Sequence, residues 1–206
     1  MERLMKSRRP LRLAAALLLP LVLAGCGINA IPAKDETVKA RWGDVQAQYQ
    51  RRADLIPNLV ATVRAYAQQE RGVLTAVTQA RAQATHISVD ASTINDPQQF
   101  QKFEAAQNQL SGVLGRLLAI SENYPQLQSN QNFLALQSQI EGTENRIEIA
   151  RRDYNEAVRD YNTEMRTFPG VIWAHTLYSA SKPAQEFAAA SNAQSAPQVS
   201  FPDLSK

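Results

Sequence analysis

Residues 129–168 read SNQNFLALQSQIEGTENRIEIARRDYNEAVRDYNTEMRTF. Within them Phe133, Ile140, Ile147, Tyr154, Tyr161 and Phe168 recur every seven positions, and Leu136, Thr143, Ala150 and Ala157 form a second series. A seam held at that period runs one apolar stripe along a helix and requires partner helices to cover it. Pro169-Gly170 ends the segment.

The spacing continues upstream. Asn95-Asp96-Pro97 is a helix start, with a capping acid and proline at the first helical position. From there Phe103, Leu110, Leu117 and Tyr124 repeat at seven, with Ala106, Val113 and Ile120 beside them, until Pro125 stops the run. Further back, Trp42, Tyr49, Ile56, Val63 and Val77 share a stripe whose missing member is Glu70. Val38, Val45, Leu59, Tyr66 and Val73 form its companion, interrupted by Arg52. Residues 37–84 thus predict one helix of about 70 Å at 1.5 Å per residue. Pro57 removes its bond to residue 53 and predicts a kink. Residues 85–95 are β-branched and polar and read as a loop, with His86 on the surface.

Downstream, residues 171–178 are apolar but short. Ser181-Lys182-Pro183 opens an expected fourth helix to Ala190, with Phe187 its only large apolar residue. From Ser191 the chain reads as a disordered tail, either a frayed end or a peptide ligand for a partner. No strand signal occurs. The expected fold is all-α: an antiparallel bundle of three long helices plus a short fourth over residues 37–190.

Composition narrows the function. Of 206 residues, 44% are apolar, enough for a core. The net charge of +3 is misleading, because five of the 22 basic residues (Arg3, Lys6, Arg8, Arg9, Arg12) fall in the first twelve positions. Beyond them 17 basic residues face 18 acidic ones, so nothing argues for nucleic-acid binding. One cysteine and two distant histidines exclude a disulfide framework and disfavour metal chemistry.

That basic start is followed by an unbroken apolar run, residues 13–24, and then Leu23-Ala24-Gly25-Cys26. The layout is that of a secretory signal. Its end resembles the lipobox of bacterial lipoproteins, which implies cleavage before Cys26 and acylation of its thiol, palmitate included. Residues 1–25 are then the signal peptide and 26–36 a tether, with membrane lipid as the first partner. Acyl chains, at about 0.8 kcal/mol per buried methylene, hold such a protein on a membrane. Gly27 stands where an Asp would retain a Gram-negative lipoprotein at the inner membrane, so the periplasmic face of the outer membrane is expected in such a host. Two other readings stay open: an uncleaved helix, though about twelve good apolar residues fall short of the roughly 20 a span needs, and a cleaved signal releasing a soluble protein.

Catalytic patterns are missing: no Gly-rich phosphate loop, HExxH or GxSxG occurs. Glu141, Glu144 and Glu148 share a helix face, a pattern that more commonly belongs to a solvated surface than to a carboxylate site. No cofactor is expected. The notable residues are polar ones at seam positions: Arg52 and Glu70 on the first helix, and Asn155 and Asn162 beside the seam tyrosines of the third. A desolvated Arg52 requires a carboxylate, with Asp54, Glu144 or Glu148 as candidates. Such a network either fixes helix register near Pro57 or offers a patch to another protein. The chain also carries 31 Asn and Gln residues, leaving its outer surface rich in neutral hydrogen-bonding groups.

The string RRADLIPNLV at 51–60, containing Arg52, Asp54, Pro57 and Asn58, together with Glu144-Asn145-Arg146-Ile147, Tyr154-Asn155 and Tyr161-Asn162, resembles the LemA family of bacterial envelope proteins. Asn123-Tyr124-Pro125, Asn132-Phe133 and Phe168-Pro169 fit the same pattern. The resemblance runs from about Trp42 to Pro169. It implies an N-terminally anchored antiparallel helical bundle outside the cytoplasm, without established enzymatic activity or catalytic residues to carry over. LemA-like proteins usually begin with a membrane helix, where this chain has a lipobox-like leader. A relative in magnetosome-forming bacteria is linked to membrane shaping. The expectation is a non-enzymatic scaffold or adaptor that engages envelope proteins, or alternatively a bundle that self-associates on the membrane and affects its shape.

Overall fold

The computed structural model describes residues 27–87, 90 and 92–188. The signal at 1–25, Cys26 and the tail at 191–206 lie outside the described residues. Among the described residues six α-helices and one 3-10 turn follow in order: α1 Ala30–Tyr66, α2 Arg71–His86, the turn Thr93–Asn95, α3 Pro97–Ser121, α4 Pro125–Gln128, α5 Gln131–Arg166 and α6 Gly170–His175.

The longest two helices, α1 and α5, lie antiparallel. Lys34 meets Glu164 at 3.7 Å at one end, and Asn130 donates to the Tyr66 hydroxyl at 2.8 Å at the other. The stripe read from the sequence faces inward on both: Trp42, Tyr49, Ile56 and Val63 on α1, and Phe133, Ile140, Ile147, Tyr154 and Tyr161 on α5, are buried. Its last member, Phe168, is instead 81% exposed, because α5 ends at Arg166 and the chain turns away.

The single kinked helix expected over 37–84 is two helices. α1 is unbroken at Pro57 and stops at Tyr66; the chain turns at residues 67–70 and folds back as α2. Continuing outward, α2 would have run past the start of α5 with nothing to cover it; reversed, it buries Leu74, Val77, Ala80 and Ala84. Part of the expected tether is also helical, since α1 begins at Ala30.

α3 runs parallel to α1, from Phe100 and Phe103 beside Trp42 to the end of the bundle where the Tyr124 hydroxyl donates to Glu70 at 2.8 Å. Its N-cap forms as read: Asp96 accepts from the amides of Gln98 and Gln99 at 2.9 and 3.2 Å. Beside Phe103, Leu110 and Leu117, the buried companions are Phe100, Gln107, Leu114 and Ser121, while Ala106, Val113 and Ile120 are only half-buried.

The helix expected over 181–190 is absent from residues 181–188, of which 184–187 run extended along α5; residues 189–190 lie outside the described residues. The extended stretch occupies the half of the bundle that α2 does not reach. As a short helix the segment offered one large apolar group. Extended, it buries both Ala184 and Phe187 while side chains of α5 take up its backbone groups. The core is therefore two clusters. One, around Trp42, Phe100, Tyr154 and Phe187, is closed by the extended segment; the other, around Leu59, Leu74, Leu117 and Phe133, is closed by α2.

Candidate functional site

Between the two clusters sits Arg52, 1% exposed. Its Nη1 donates to Glu144 Oε1 at 2.8 Å and to Ser111 Oγ at 2.6 Å. Its Nη2 donates to the side-chain and main-chain oxygens of Gln107 at 2.6 and 3.3 Å. The Tyr49 ring lies 5.0 Å from the guanidinium carbon, and burial raises the pKa of its phenol. Gln107 in turn donates to the carbonyl of Ala84 at 3.3 Å, bringing α2 into the same layer. One guanidinium thus ties α1, α3 and α5 directly and α2 at one remove. A buried fork of donors tolerates little sliding, so this layer fixes register.

Of the three carboxylates considered for Arg52, Glu144 is the partner. Asp54 faces solvent and accepts from Gln50 at 2.7 Å, and Glu148 is exposed. Glu141 accepts from Gln137 at 3.0 Å, so the three glutamates on one face share no site. Asn58, Asn145 and Arg146 are exposed and outside the layer; Arg146 borders a shallow depression with Arg41, Asp44 and Asp153.

Pro57 is exposed, but its consequence is internal. Proline has no N–H for the Ala53 carbonyl, and Arg81 of α2 supplies the missing donor, Nε to oxygen at 2.7 Å. Arg81 had no sequence signal, since its role depends on the reversal at residues 67–70. Gln107 and Ser111 were also missed, although Phe100, Gln107, Leu114 and Ser121 at intervals of seven formed a readable series.

Asn155 and Asn162 join a second constellation. Asn162 donates to the Ala184 carbonyl at 2.9 Å and accepts from its amide at 3.0 Å. Asn155 does the same with Phe187, at 3.0 and 2.9 Å. Seven residues apart on α5, they stand two turns apart on one face, matching the three-residue step of the extended chain. The hydroxyls of Tyr154 and Tyr161 donate to the carbonyls of Gln185 and Lys182 at 2.9 and 3.2 Å. Desolvation raises the pKa of both phenols, keeping them protonated donors. Phe187 enters the aromatic cluster of Trp42, Phe100 and Tyr154, with the Arg151 guanidinium 4.4 Å from its centroid. Among the described residues no three His, Cys, Asp or Glu side chains stand together as a metal site, and no helix is long and apolar enough to cross a membrane.

Fold and site define a helical-bundle protein whose organised polar groups bind its own chain. Residues 41–201 match the model of the LemA family, and the chain belongs to that family. It is 24% identical to magnetosome protein MamQ 1 of Paramagnetospirillum magneticum over 157 residues, 68% of this chain and 58% of the relative. It is 25% identical to Protein LemA of Metamycoplasma hominis over 124 residues, 60% of this chain and 52% of that one. The chain thus spans less than two thirds of the length of these curated relatives. Family membership supports an envelope-associated protein.

Proposed function

We propose that the protein is a membrane-tethered, non-enzymatic scaffold of the cell envelope, attached through acylated Cys26 and presenting its bundle to envelope proteins. The observation behind the tether is an apolar end. Phe168, Ile172 and Leu177 are 81%, 46% and 60% exposed at the corner between α5 and the residues after α6. Gly27, directly after Cys26, lies at that corner, where a side chain would come 3.5 Å from Pro169. Three exposed large apolar groups in the stretch that follows α5, near Gly27, suit contact with a bilayer.

The test is Cys26→Ala, followed by fractionation and by mass spectrometry of the N-terminal peptide. Loss of the acyl mass and movement of the protein out of the membrane fraction are expected. Unchanged fractionation without an acyl mass on the native protein would replace the lipid with an uncleaved helix. Phe168→Ser should weaken vesicle binding of the unlipidated variant; no change would remove the corner from the membrane contact.

A further inference from the structure

Four hydrogen-bonding side chains and one leucine surround an open cavity of about 380 Å³ where α1 gives way to α2. Arg64 comes from the last turn of α1, Gln68 from the reversal, and Arg71, Leu74 and Thr75 from the start of α2. Leu74 is buried and forms the floor, while the other four are exposed. The volume lies within the range of roughly 300–1,000 Å³ found for small-ligand sites.

The charge of this cavity is one-sided. Among the described residues neither guanidinium has a carboxylate partner, whereas Lys34, Lys39, Arg41, Arg52, Arg151 and Arg152 each meet one. The nearest acid in sequence, Glu70, is taken by the Tyr124 hydroxyl. The depression between α1 and α5 gives the contrast: it also holds two arginines, Arg41 and Arg146, but with Asp44 and Asp153 beside them. Two uncompensated guanidiniums on one cavity call for an oxyanion, which each can grip with paired N–H donors.

The neutral groups decide what carries the anion. Thr78 and Thr85 turn their hydroxyls back onto the carbonyls of Leu74 and Arg81, both at 2.9 Å. The Thr75 hydroxyl and the Gln68 amide have no partner among the described residues. Beyond them the exposed face of α2 continues with Thr78, Gln79 and Gln83, all uncharged. None of the large apolar side chains exposed among the described residues lies on α2, so the anchors typical of a protein interface are missing there. Hydroxyl and amide groups around an oxyanion grip suit a sugar acid. We propose that this cavity binds one acidic unit of an envelope glycan, its carboxylate or phosphate held between Arg64 and Arg71 and its hydroxyls by Gln68 and Thr75. The 37 residues of α1 set the cavity about 55 Å from the corner at Gly27, at the end that the proposed tether holds away from the bilayer. The inference goes beyond the scaffold reading.

The test is a titration of the purified, isotope-labelled full chain followed by two-dimensional NMR. The probes are glucuronate and glucose 6-phosphate, with glucose, acetate and inorganic phosphate as controls and triglutamate as an acidic peptide. Saturable shifts at the amides of Gln68, Arg71, Gly72 and Thr75 are expected with at least one sugar acid and not with glucose. The affinity should be about millimolar, as befits so small a ligand in an open site. The tighter of the two sugar acids identifies the anion. Arg64→Gln with Arg71→Gln should weaken its binding at least ~10-fold, and Arg146→Gln should leave it unchanged. Absence of shifts at these residues with both sugar acids overturns the site. Acetate or phosphate binding as tightly as the sugar acids would mean an adventitious ion only, and tighter binding of triglutamate would give the cavity to an acidic protein segment; either overturns the glycan assignment. If the double variant unfolds, salt decides on the native chain: sodium chloride at ~0.5 M should weaken sugar-acid binding severalfold, and unchanged affinity overturns the arginine grip. None of these readouts depends on acylation of Cys26, so the cavity and the tether fail separately.

Discussion

Pro57 and Arg81 form a pair whose coupling can be measured. The Ala53 carbonyl lacks its helical donor because residue 57 is proline, and Arg81 Nε occupies it at 2.7 Å. A charged donor on a carbonyl is worth about 1.5–3 kcal/mol, and partial exposure of this bond places it near the lower figure. Arg81→Met should therefore destabilise the native chain by about 1.5 kcal/mol. With Pro57→Ala the residue 57 amide regains the Ala53 carbonyl, and the helix gains up to about 3 kcal/mol in propensity. In that background Arg81→Met removes a redundant bond and should cost about 0.5 kcal/mol or less. The expected coupling is about 1 kcal/mol, well above the scatter for independent sites. Urea unfolding of the four chains, followed by circular dichroism, measures it. Equal costs for Arg81→Met in both backgrounds would refute the idea that Arg81 stands in for the missing amide.

Three further outcomes follow from the packing. Arg52→Ala leaves Gln107 and Ser111 short of a donor and should cost about 3 kcal/mol, the low end for a broken buried pair because Glu144 is 38% exposed. Glu144→Gln keeps an acceptor and should cost about 1 kcal/mol; chemical denaturation of both variants checks the order. Phe187→Ala empties an aromatic pocket at a residue 5% exposed, and about 3 kcal/mol should be lost, lowering Tm by roughly 6–12 °C in calorimetry. The last concerns pH. Burial raises the folded-state pKa of Tyr154 above its unfolded value of about 10, so the phenol's contribution is complete below pH 10 and is lost as pH rises through the higher folded value. Tyr154→Phe should flatten the alkaline decline in stability, and an unchanged slope would assign that decline to other groups.

The long seams were legible because a period of seven survives without knowledge of the partner: Phe133 to Tyr161, Trp42 to Val63 and Phe103 to Leu117 are buried as their spacing requires. The reversal at residues 67–70 was not, since Ala67-Gln68-Gln69-Glu70 contains neither glycine nor proline. The turn is imposed by where α5 begins. Pro57 was legible as a missing bond, but the donor that replaces it was not, because that donor lies on α2. Arg52 and its carboxylate could be narrowed to three acids; the choice of Glu144 needed the helices in place. Asn155 and Asn162 stood out by position, yet their work on residues 182–187 was hidden, because that segment has the composition of a short helix and becomes extended only against α5.

The extended segment also sets an order of assembly. The cluster around Trp42 and Phe100 is completed by Phe187, which arrives after every helix of the bundle has been made. Contacts so distant along the chain carry the largest loop-closure cost and form late. The cluster closed by α2 has all its members within residues 56–140 and can form earlier. One half of this molecule therefore reaches its native packing while the other still waits for the last stretch of chain, and a truncation before Phe187 should leave that second half open while the first still folds.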